Sequence, residues 1–278
     1  MGIKNRIDIL KTKVIKTGAI TFSEAMELVE ITDPEAIGYL GEAAREIQMK
    51  FHPEKAALCA LINAKSYLCG ENCAFCSQSV HYSTGIERYD LLDPEAVVRA
   101  AKKAENFGAD HFCVVTSGAE PAPDDFEKLM KIFGRLKEET SLEIDCSVGF
   151  LTGEQAARMR RAGVRRVNHN LQTSREFYPR IASTHSYDQR RETLKVLREN
   201  GLEICAGGIL GVGESREDRI RMAFELKEFE PECVPVNILN ARPGTPLEKQ
   251  PKIEPMEAIK TIAVFRFIFP KANIKLAG

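Results

Sequence analysis

Three cysteines, Cys69, Cys73 and Cys76, stand at the spacing CxxxCxxC in the stretch "CGENCAFC". Thiolates are soft ligands that favour zinc and iron-sulfur centres over hard cations. A structural zinc site takes four protein ligands, and an electron-transfer iron-sulfur cluster usually takes four cysteines. Two chemistries then fit three cysteines: a zinc knuckle completed by His81, or a 4Fe-4S cluster whose remaining iron is open to another molecule. The other cysteines, Cys59, Cys113, Cys146, Cys205 and Cys233, sit singly in apolar runs, where a lone cysteine reads as a small core residue. A chain of 278 residues needs no disulfide framework, so eight cysteines argue for metal or redox chemistry.

These residues must be held by strands and the loops that follow them. From Lys55 onward, short runs rich in Val, Ile and Leu alternate with amphipathic stretches, the pattern of βα units feeding a parallel sheet. The runs "ALCALINA", "HFCVVTS", "LEIDCSV", "RRVNHNL", "LEICAGGI", "CVPVNIL" and "ANIKLAG" make seven strands. Between them, "DPEAVVRAAKKAENFG" reads as a helix with Asp93 as N-cap, Pro94 in the first turn and Gly108 as stop. "SREDRIRMAFELKEFEP" reads as another, capped by Ser215. One unit every roughly 30 to 40 residues fits an α/β chain forming a (β/α) barrel of the TIM type.

Helical spacing in "SEAMELVEI" and "AIGYLGEAAREI", with a stop at "HPE", makes residues 1–54 an N-terminal helical cap and residues 55–278 the barrel domain. No eighth strand precedes Gly278, so the barrel is open or the chain stops short of closing it. A doubly wound sheet would call for a GxGxxG or P-loop signature, and neither occurs. The CxxxCxxC loop follows the first strand, at the carboxyl end where parallel α/β folds place their chemistry.

Composition limits the partners. At 44% hydrophobic and 28% charged residues the chain is ordinary for a folded protein, and a net charge of -1 leaves no basic footprint for nucleic acid or an anionic membrane. The N-terminus lacks an apolar leader and no window approaches a membrane span, so a cytoplasmic location and a small-molecule partner are expected. His52, His111 and His185 show no metal-pair spacing and read as surface or core residues, and His169 is expected to point away from its flanking asparagines.

The cysteine loop, with Phe75 directly before its last cysteine, resembles that of the radical S-adenosylmethionine superfamily. The resemblance implies a 4Fe-4S cluster on Cys69, Cys73 and Cys76, with the fourth iron chelated by S-adenosylmethionine, which is cleaved to a 5'-deoxyadenosyl radical. Within that superfamily the chain is similar to the biotin synthases, in "INAKSYLCGENCAFCSQSVHY", "FCVVTSGAE", "VNHNLQTSREFY", "THSYDQRRETLKVLRENGLEICAGGILGVGES", "VPVNIL", "GTPL" and "TIAVFRFIFP". That likeness implies sulfur insertion into dethiobiotin to give biotin, with a second cluster as sulfur donor, 2Fe-2S in the familiar enzymes and held by three cysteines and an arginine.

Carried over by position, those cysteines match Cys113, Cys146 and Cys205, while Lys275 stands where the arginine would be. An ammonium has no lone pair for iron. Cys59 and Cys233 occupy places where the familiar enzymes carry serine, which suggests a larger second cluster, a 4Fe centre with an extra sulfide. For S-adenosylmethionine, the resemblance implies Ser117, Gly118 and Glu120 at the methionyl amino group, Arg190 on its carboxylate, and Gly207, Gly208 and Ile209 beside adenine. Gln172 replaces the usual aspartate on the ribose hydroxyls, and Asn168, Asn170 and Asn237 match residues near the cosubstrate and dethiobiotin. An electron donor such as flavodoxin or ferredoxin and a homodimer are implied as well. The alternatives are a related barrel enzyme of the hydrogenase cofactor maturase kind, and a non-catalytic iron-sulfur or zinc protein that has kept the fold.

Overall fold

Apolar runs of three to seven residues form the strands, and helices return the chain between them. The computed structural model describes residues 2–52 and 57–277, so the boundary expected between 54 and 55, part of the "HPE" stop and the final Gly278 lie outside the described residues. Helices α1 (Ile3–Thr17), α2 (Phe22–Val29) and α3 (Pro34–Phe51) precede β1 (Cys59–Lys65). There follow α4 (Pro94–Asn106), β2 (His111–Thr116), α5 (Pro123–Glu139), β3 (Glu143–Ser147), α6 (Gly153–Arg161), β4 (Val164–Asn168) and α7 (Tyr187–Glu199). The chain ends with β5 (Glu203–Cys205), β6 (Gly208–Leu210), α8 (Arg216–Lys227), β7 (Cys233–Ile238), α9 (Pro255–Ile268) and β8 (Asn273–Ala277).

All strand pairs are parallel, in the order β1-β2-β3-β4-β5-β7, with β6 and β8 also on β7. The run "LEICAGGI" forms two short strands rather than one. It breaks at Gly207, where a Cβ would lie 1.9 Å from the Pro235 carbonyl oxygen, so only glycine lets the backbone come that close. Since β5 and β6 lie on the same neighbour, they act as one ribbon, and the sheet has seven ribbons as expected from the sequence. Among the described residues β1 pairs only with β2 and β8 only with β7, which leaves a curled, open barrel of the TIM type.

Capping follows the sequence with one difference. Ser215 accepts from the Asp218 N–H, and Asp218 reaches back to Ser215. Asp93 sits at the N-cap of α4 but makes no capping bond; its carboxylate accepts from Lys128 Nζ at 3.2 Å instead.

The N-terminal helices pack on the barrel through α9, with α3 against α9 and α2 against α8 and α9. Ile7, Leu10, Leu40, Ile47, Phe265 and Phe267 are buried. A buried lysine is costly unless paired. Lys260, fully buried, donates to the Ile31 carbonyl at 2.8 Å and to Glu257 at 2.6 Å, and Glu257 also holds Arg216 at 2.5 Å. Burial works against the Glu257 carboxylate, but Arg216 and Lys260 outweigh it and hold the pKa down to about 2. A depressed carboxylate pKa stabilises the fold above its unfolded value and loses that contribution as pH falls. Lys260→Met should therefore destabilise the fold by about 1–3 kcal/mol in urea denaturation at neutral pH, because it strips the Ile31 carbonyl of its donor. In the native chain, stability should drop between about pH 4.5 and pH 2 with a contribution from Glu257 that Glu257→Gln abolishes.

Candidate active site

Beyond β1 the backbone turns sharply at the carboxyl edge of the sheet. Tyr67 and Leu68 both take left-handed conformations, with φ of 73° and 64°, which non-glycine residues hold only when their surroundings fix them. The Gln78 side-chain oxygen accepts from the Tyr67 N–H, and Ser117 Oγ donates to the Tyr67 carbonyl at 2.7 Å. Val80 N–H donates to the Cys69 carbonyl at 2.9 Å, and Tyr82 Oη donates to the Asn72 carbonyl at 2.5 Å. The segment before α7 clamps the loop from the other side. Asn72 Nδ2 donates to Ser183 Oγ at 2.7 Å, Asn72 Oδ1 accepts from the N–H groups of Ser183 and Thr184 at 2.9 and 3.2 Å, and Ala74 N–H donates to the Ile181 carbonyl at 2.7 Å.

Cys69, Cys73 and Cys76 line one cavity of about 270 Å³ together with Ser117, Gly118, Asn168, Asn170, Gln172 and Arg190. Burial pushes the Cys73 thiol up to about 12, against the pull of Arg190, and raises Cys76 likewise. Such thiols lose their protons to a bound metal rather than to water. Among the described residues no three His, Cys, Asp or Glu groups converge as a single metal ion would require. His81, the candidate fourth zinc ligand, instead meets the Gly70 carbonyl at 3.0 Å.

The remaining predicted residues lie on the next strand ends. Asn170 Oδ1 accepts from the Gly207 N–H at 3.0 Å, and Asn237 Nδ2 donates to the Gly208 carbonyl at 3.1 Å. Gln172, at φ 75°, bridges to β6: its N–H donates to the Gly207 carbonyl at 3.0 Å and its carbonyl accepts from Ile209 N–H at 2.8 Å. Its side-chain Oε1 is buried and has no hydrogen-bond partner among the described residues. Glu120, Gly207, Gly208, Ile209 and Asn237 do not line this cavity, and Glu120 is exposed.

Three residues not assigned to the site from the sequence, Phe150, His169 and His185, complete the wall, with Tyr178 bonded to His185 and Arg190. Arg190 Nε donates to Tyr178 Oη, its Nη1 donates to the Asn170 carbonyl at 3.1 Å, and its Nη2 donates to His185 Nε2 at 3.1 Å. His185 also lies 3.4 Å from Cys73 Sγ. His169 and Phe150 stack edge to face at 5.4 Å, and His169 lines the cavity because β4 ends at Asn168, beyond which strand alternation no longer turns it away. Burial holds the pKa of His169 well below the usual histidine range, so the ring is neutral.

A second cavity, of about 750 Å³, opens at the amino end of the barrel and is lined by Cys59, His111, Asp145, Arg166, Cys233 and Lys275 among others. Strand parity decides which cysteines face inward. Cys113 lies two residues past His111, and its partner in the adjacent strand is Asp145; Cys146 is opposite Val114, a fully buried core residue. The structure therefore turns Cys146 to the layer between sheet and helices, apart from the others, and Asp145 holds the inner position where a cysteine was expected. Cys205 and Cys233 are direct neighbours across β5 and β7. A hydrogen bond from Cys205 draws the Cys233 thiol down to about 7, aided by Lys275 and Arg166 and opposed by burial. Burial works against the Lys275 ammonium, but Cys205, Cys233 and Cys59 outweigh it. Arg166 Nε lies 3.7 Å from Asp145 and 3.5 Å from Glu203, while its Nη2 meets His111 Nδ1 at 3.0 Å. Cys59 sits on the open edge and is exposed.

Residues 65–226 match the Radical SAM superfamily, and residues 235–278 match the Biotin and Thiamin Synthesis associated domain. A barrel open on one side, with three cysteines in the loop after its first strand, is the arrangement of that superfamily, to which this chain belongs. The chain is 44% identical to the biotin synthase of Acetivibrio thermocellus, over 98% of its own length and 84% of that relative. It is 42% identical to the biotin synthase of Nitrosopumilus maritimus, over 96% and 81%. It is a member of the biotin synthase family. Among solved structures, methylornithine synthase superposes with a TM-score of 0.86 at 25% identity, over 95% of this chain and 78% of that one. A maturase of the [FeFe]-hydrogenase reaches 0.86 at 18% identity, over 98% and 62%, a likeness of fold alone.

Membership brings a 4Fe-4S cluster, S-adenosylmethionine and a second iron-sulfur cluster. The first two fit the donor set: soft thiols in one loop, a guanidinium for a carboxylate, and a buried amide oxygen in want of a donor. Among the described residues no helix is long and apolar enough to cross a membrane. Asn72→Ala should leave the fold intact but release iron from the reconstituted loop to an anaerobic chelator about ten- to hundredfold faster, since two backbone N–H groups lose their acceptor at about 1 kcal/mol or more each.

Proposed function

We propose that this chain forms biotin by inserting sulfur between two unactivated carbons of dethiobiotin, using radical S-adenosylmethionine chemistry. The observation that carries this reading is the convergence of the buried Cys69 and Cys73 thiols, the half-buried Cys76 thiol, the Arg190 guanidinium and the unpartnered Gln172 Oε1 on one cavity at the carboxyl end of the barrel. When bound, the cluster and S-adenosylmethionine supply a primary carbon radical able to take hydrogen from an unactivated carbon.

The chain's own residues position and enclose that chemistry. Cys69, Cys73 and Cys76 hold the first cluster, and Arg190 turns its fork to the methionyl carboxylate, a charge-assisted pairing. Ser117, Gly118 and Glu120 offer backbone oxygens to the methionyl amino group, while Gly207, Gly208 and Ile209 flank adenine. Gln172 accepts from a ribose hydroxyl through its amide oxygen, without the charge an aspartate would bring. Asn168, Asn170 and Asn237 carry both donors and acceptors, which suits the two N–H groups and carbonyl of a ureido ring. Phe150 and His169 exclude water beside them.

For the second cluster, the parity of the strands supports four inward thiols, Cys59, Cys113, Cys205 and Cys233, with Cys146 outside the set. Four thiolates suit a 4Fe centre carrying an extra sulfide better than the three-cysteine, one-arginine pattern. Lys275 acts there as a charge partner rather than a ligand. Residues 1–54 serve as the helical cap and 55–278 as the catalytic barrel of a cytoplasmic homodimer, reduced by a flavodoxin or ferredoxin.

Anaerobic reconstitution followed by turnover with dethiobiotin tests the reading, with biotin, 5'-deoxyadenosine and iron counted in one sample. Biotin should form with about eight iron atoms per chain, against about six for a 2Fe-2S second cluster. Formation of 5'-deoxyadenosine without biotin would retain the radical chemistry and reject the substrate. Cys205→Ala should lose about half of the iron and all of the biotin, whereas Cys146→Ala should keep both.

A further inference from the structure

The ring of His185 stands between a cluster ligand and the arginine of the cosubstrate site. It is buried, with Phe150 edge-on at 5.5 Å and Tyr178 at 5.8 Å. Its Nδ1 lies 3.0 Å from Tyr178 Oη, its Nε2 lies 3.1 Å from Arg190 Nη2 and 3.4 Å from Cys73 Sγ, and the Glu71 carboxylate is 3.9 Å away. We propose that His185 is a positioning residue that couples the cluster held by Cys73 to the carboxylate-binding Arg190, because one ring nitrogen, Nε2, serves both.

Arg190 is donor-only, so an Nε2 that accepts from its Nη2 carries no proton, and the ring is then the Nδ1–H tautomer. That tautomer donates to Tyr178 Oη, which also accepts from Arg190 Nε. A protonated Cys73 thiol is compatible with this state, since its S–H can share the Nε2 lone pair. A metal-bound Cys73 thiolate is not, because it then faces a lone pair and has no donor.

Cluster assembly releases the thiol proton. The ring keeps its charge and exchanges its Nδ1 proton for one on Nε2, which donates to Cys73 Sγ, while the Tyr178 hydroxyl turns to donate to Nδ1. Arg190 Nη2, displaced from the ring, is free for the methionyl carboxylate. A hydrogen bond to a ligating sulfur favours the more reduced, more negative cluster and raises its potential. By linkage, cosubstrate binding that draws Arg190 away favours the same tautomer and the same reduced state.

This inference rests on the proposed cluster at Cys69, Cys73 and Cys76. The test uses the full-length, anaerobically reconstituted protein and follows, by electron paramagnetic resonance, the midpoint of the signal that S-adenosylmethionine perturbs. His185→Phe should keep the loop iron and lower the reduced-to-oxidised ratio at a fixed potential about tenfold, a 59 mV shift for one electron. His185→Gln, which retains an N–H donor, should recover most of that shift. Tyr178→Phe, which leaves the ring but removes its Nδ1 partner, should shift the midpoint in the same direction by less. Coincident midpoints for His185→Phe and the native chain, at equal iron, overturn the proposal. If His185→Phe fails to hold iron, Tyr178→Phe decides: a negative shift supports the coupling and an unchanged midpoint overturns it. Absence of any S-adenosylmethionine-responsive signal in the native chain would instead reject the proposed function.

Discussion

A parallel strand presents a side chain to the barrel interior only at every second residue, and both ends of this molecule depend on that parity. Register between strands then fixes which residues share a layer. Because Cys113 is paired with Asp145 and Cys205 with Cys233, a set of thiols gathers on the inner wall with one carboxylate among them. One residue's slip in β3 would put Cys146 inside and Asp145 in the apolar layer against the helices. The fold forbids that slip, since Ile144 and Cys146 fill the outer core on one side and Asp145 meets His111 and Arg166 on the other.

At the carboxyl end the constraint is different, because the proposed ligands lie on a loop rather than on strands. A loop can hold three thiols in one place only if something else removes its freedom. Here the left-handed pair Tyr67 and Leu68 sets its direction, and hydrogen bonds to residues 181–184 fix its far side. The same segment leads directly into α7 through His185, so the clamp on the cysteine loop and the placement of Arg190 are mechanically one feature. Few elements are needed because the strand ends supply the rest: Ser117 after β2, Asn168 at the end of β4, and Gln172 bridged to β6.

Much of this was legible in the sequence. Seven runs of β-branched and aliphatic residues mark the seven ribbons, and the CxxxCxxC spacing marks the loop, since both signals are local. The break in "LEICAGGI" was not legible, because what forces it is the approach of Pro235 from a distant strand. Cys146 was misplaced for a similar reason: adjacent candidates in "LEIDCSV" differ only in parity, and parity needs the register with β2. His185 and Tyr178 carry no spacing signal, as their partners Cys73 and Arg190 come together only when the loop folds onto the start of α7.

The electrostatics of the second cavity bear on what it holds. Burial of a guanidinium is tolerated when acceptors satisfy it, yet Arg166 Nε has no hydrogen-bond partner among the described residues, the nearest carboxylates standing 3.5 and 3.7 Å off. Arg266, on the same cavity wall, has an Nη1 that donates to the carbonyls of Phe269, Pro270 and Ala272, and burial lowers its pKa to about 10. Lys275 adds a third cation. Against these stand Asp145, Glu203 and the thiols, of which burial keeps Cys59 and Cys113 protonated while Cys233 is drawn down to about 7. The proposed cluster on four thiolates would bring negative charge to meet these cations, and in a low-dielectric barrel that compensation is worth more than at a surface. On that proposal the cations around the thiols retain an anionic centre, while the thiols alone ligate it.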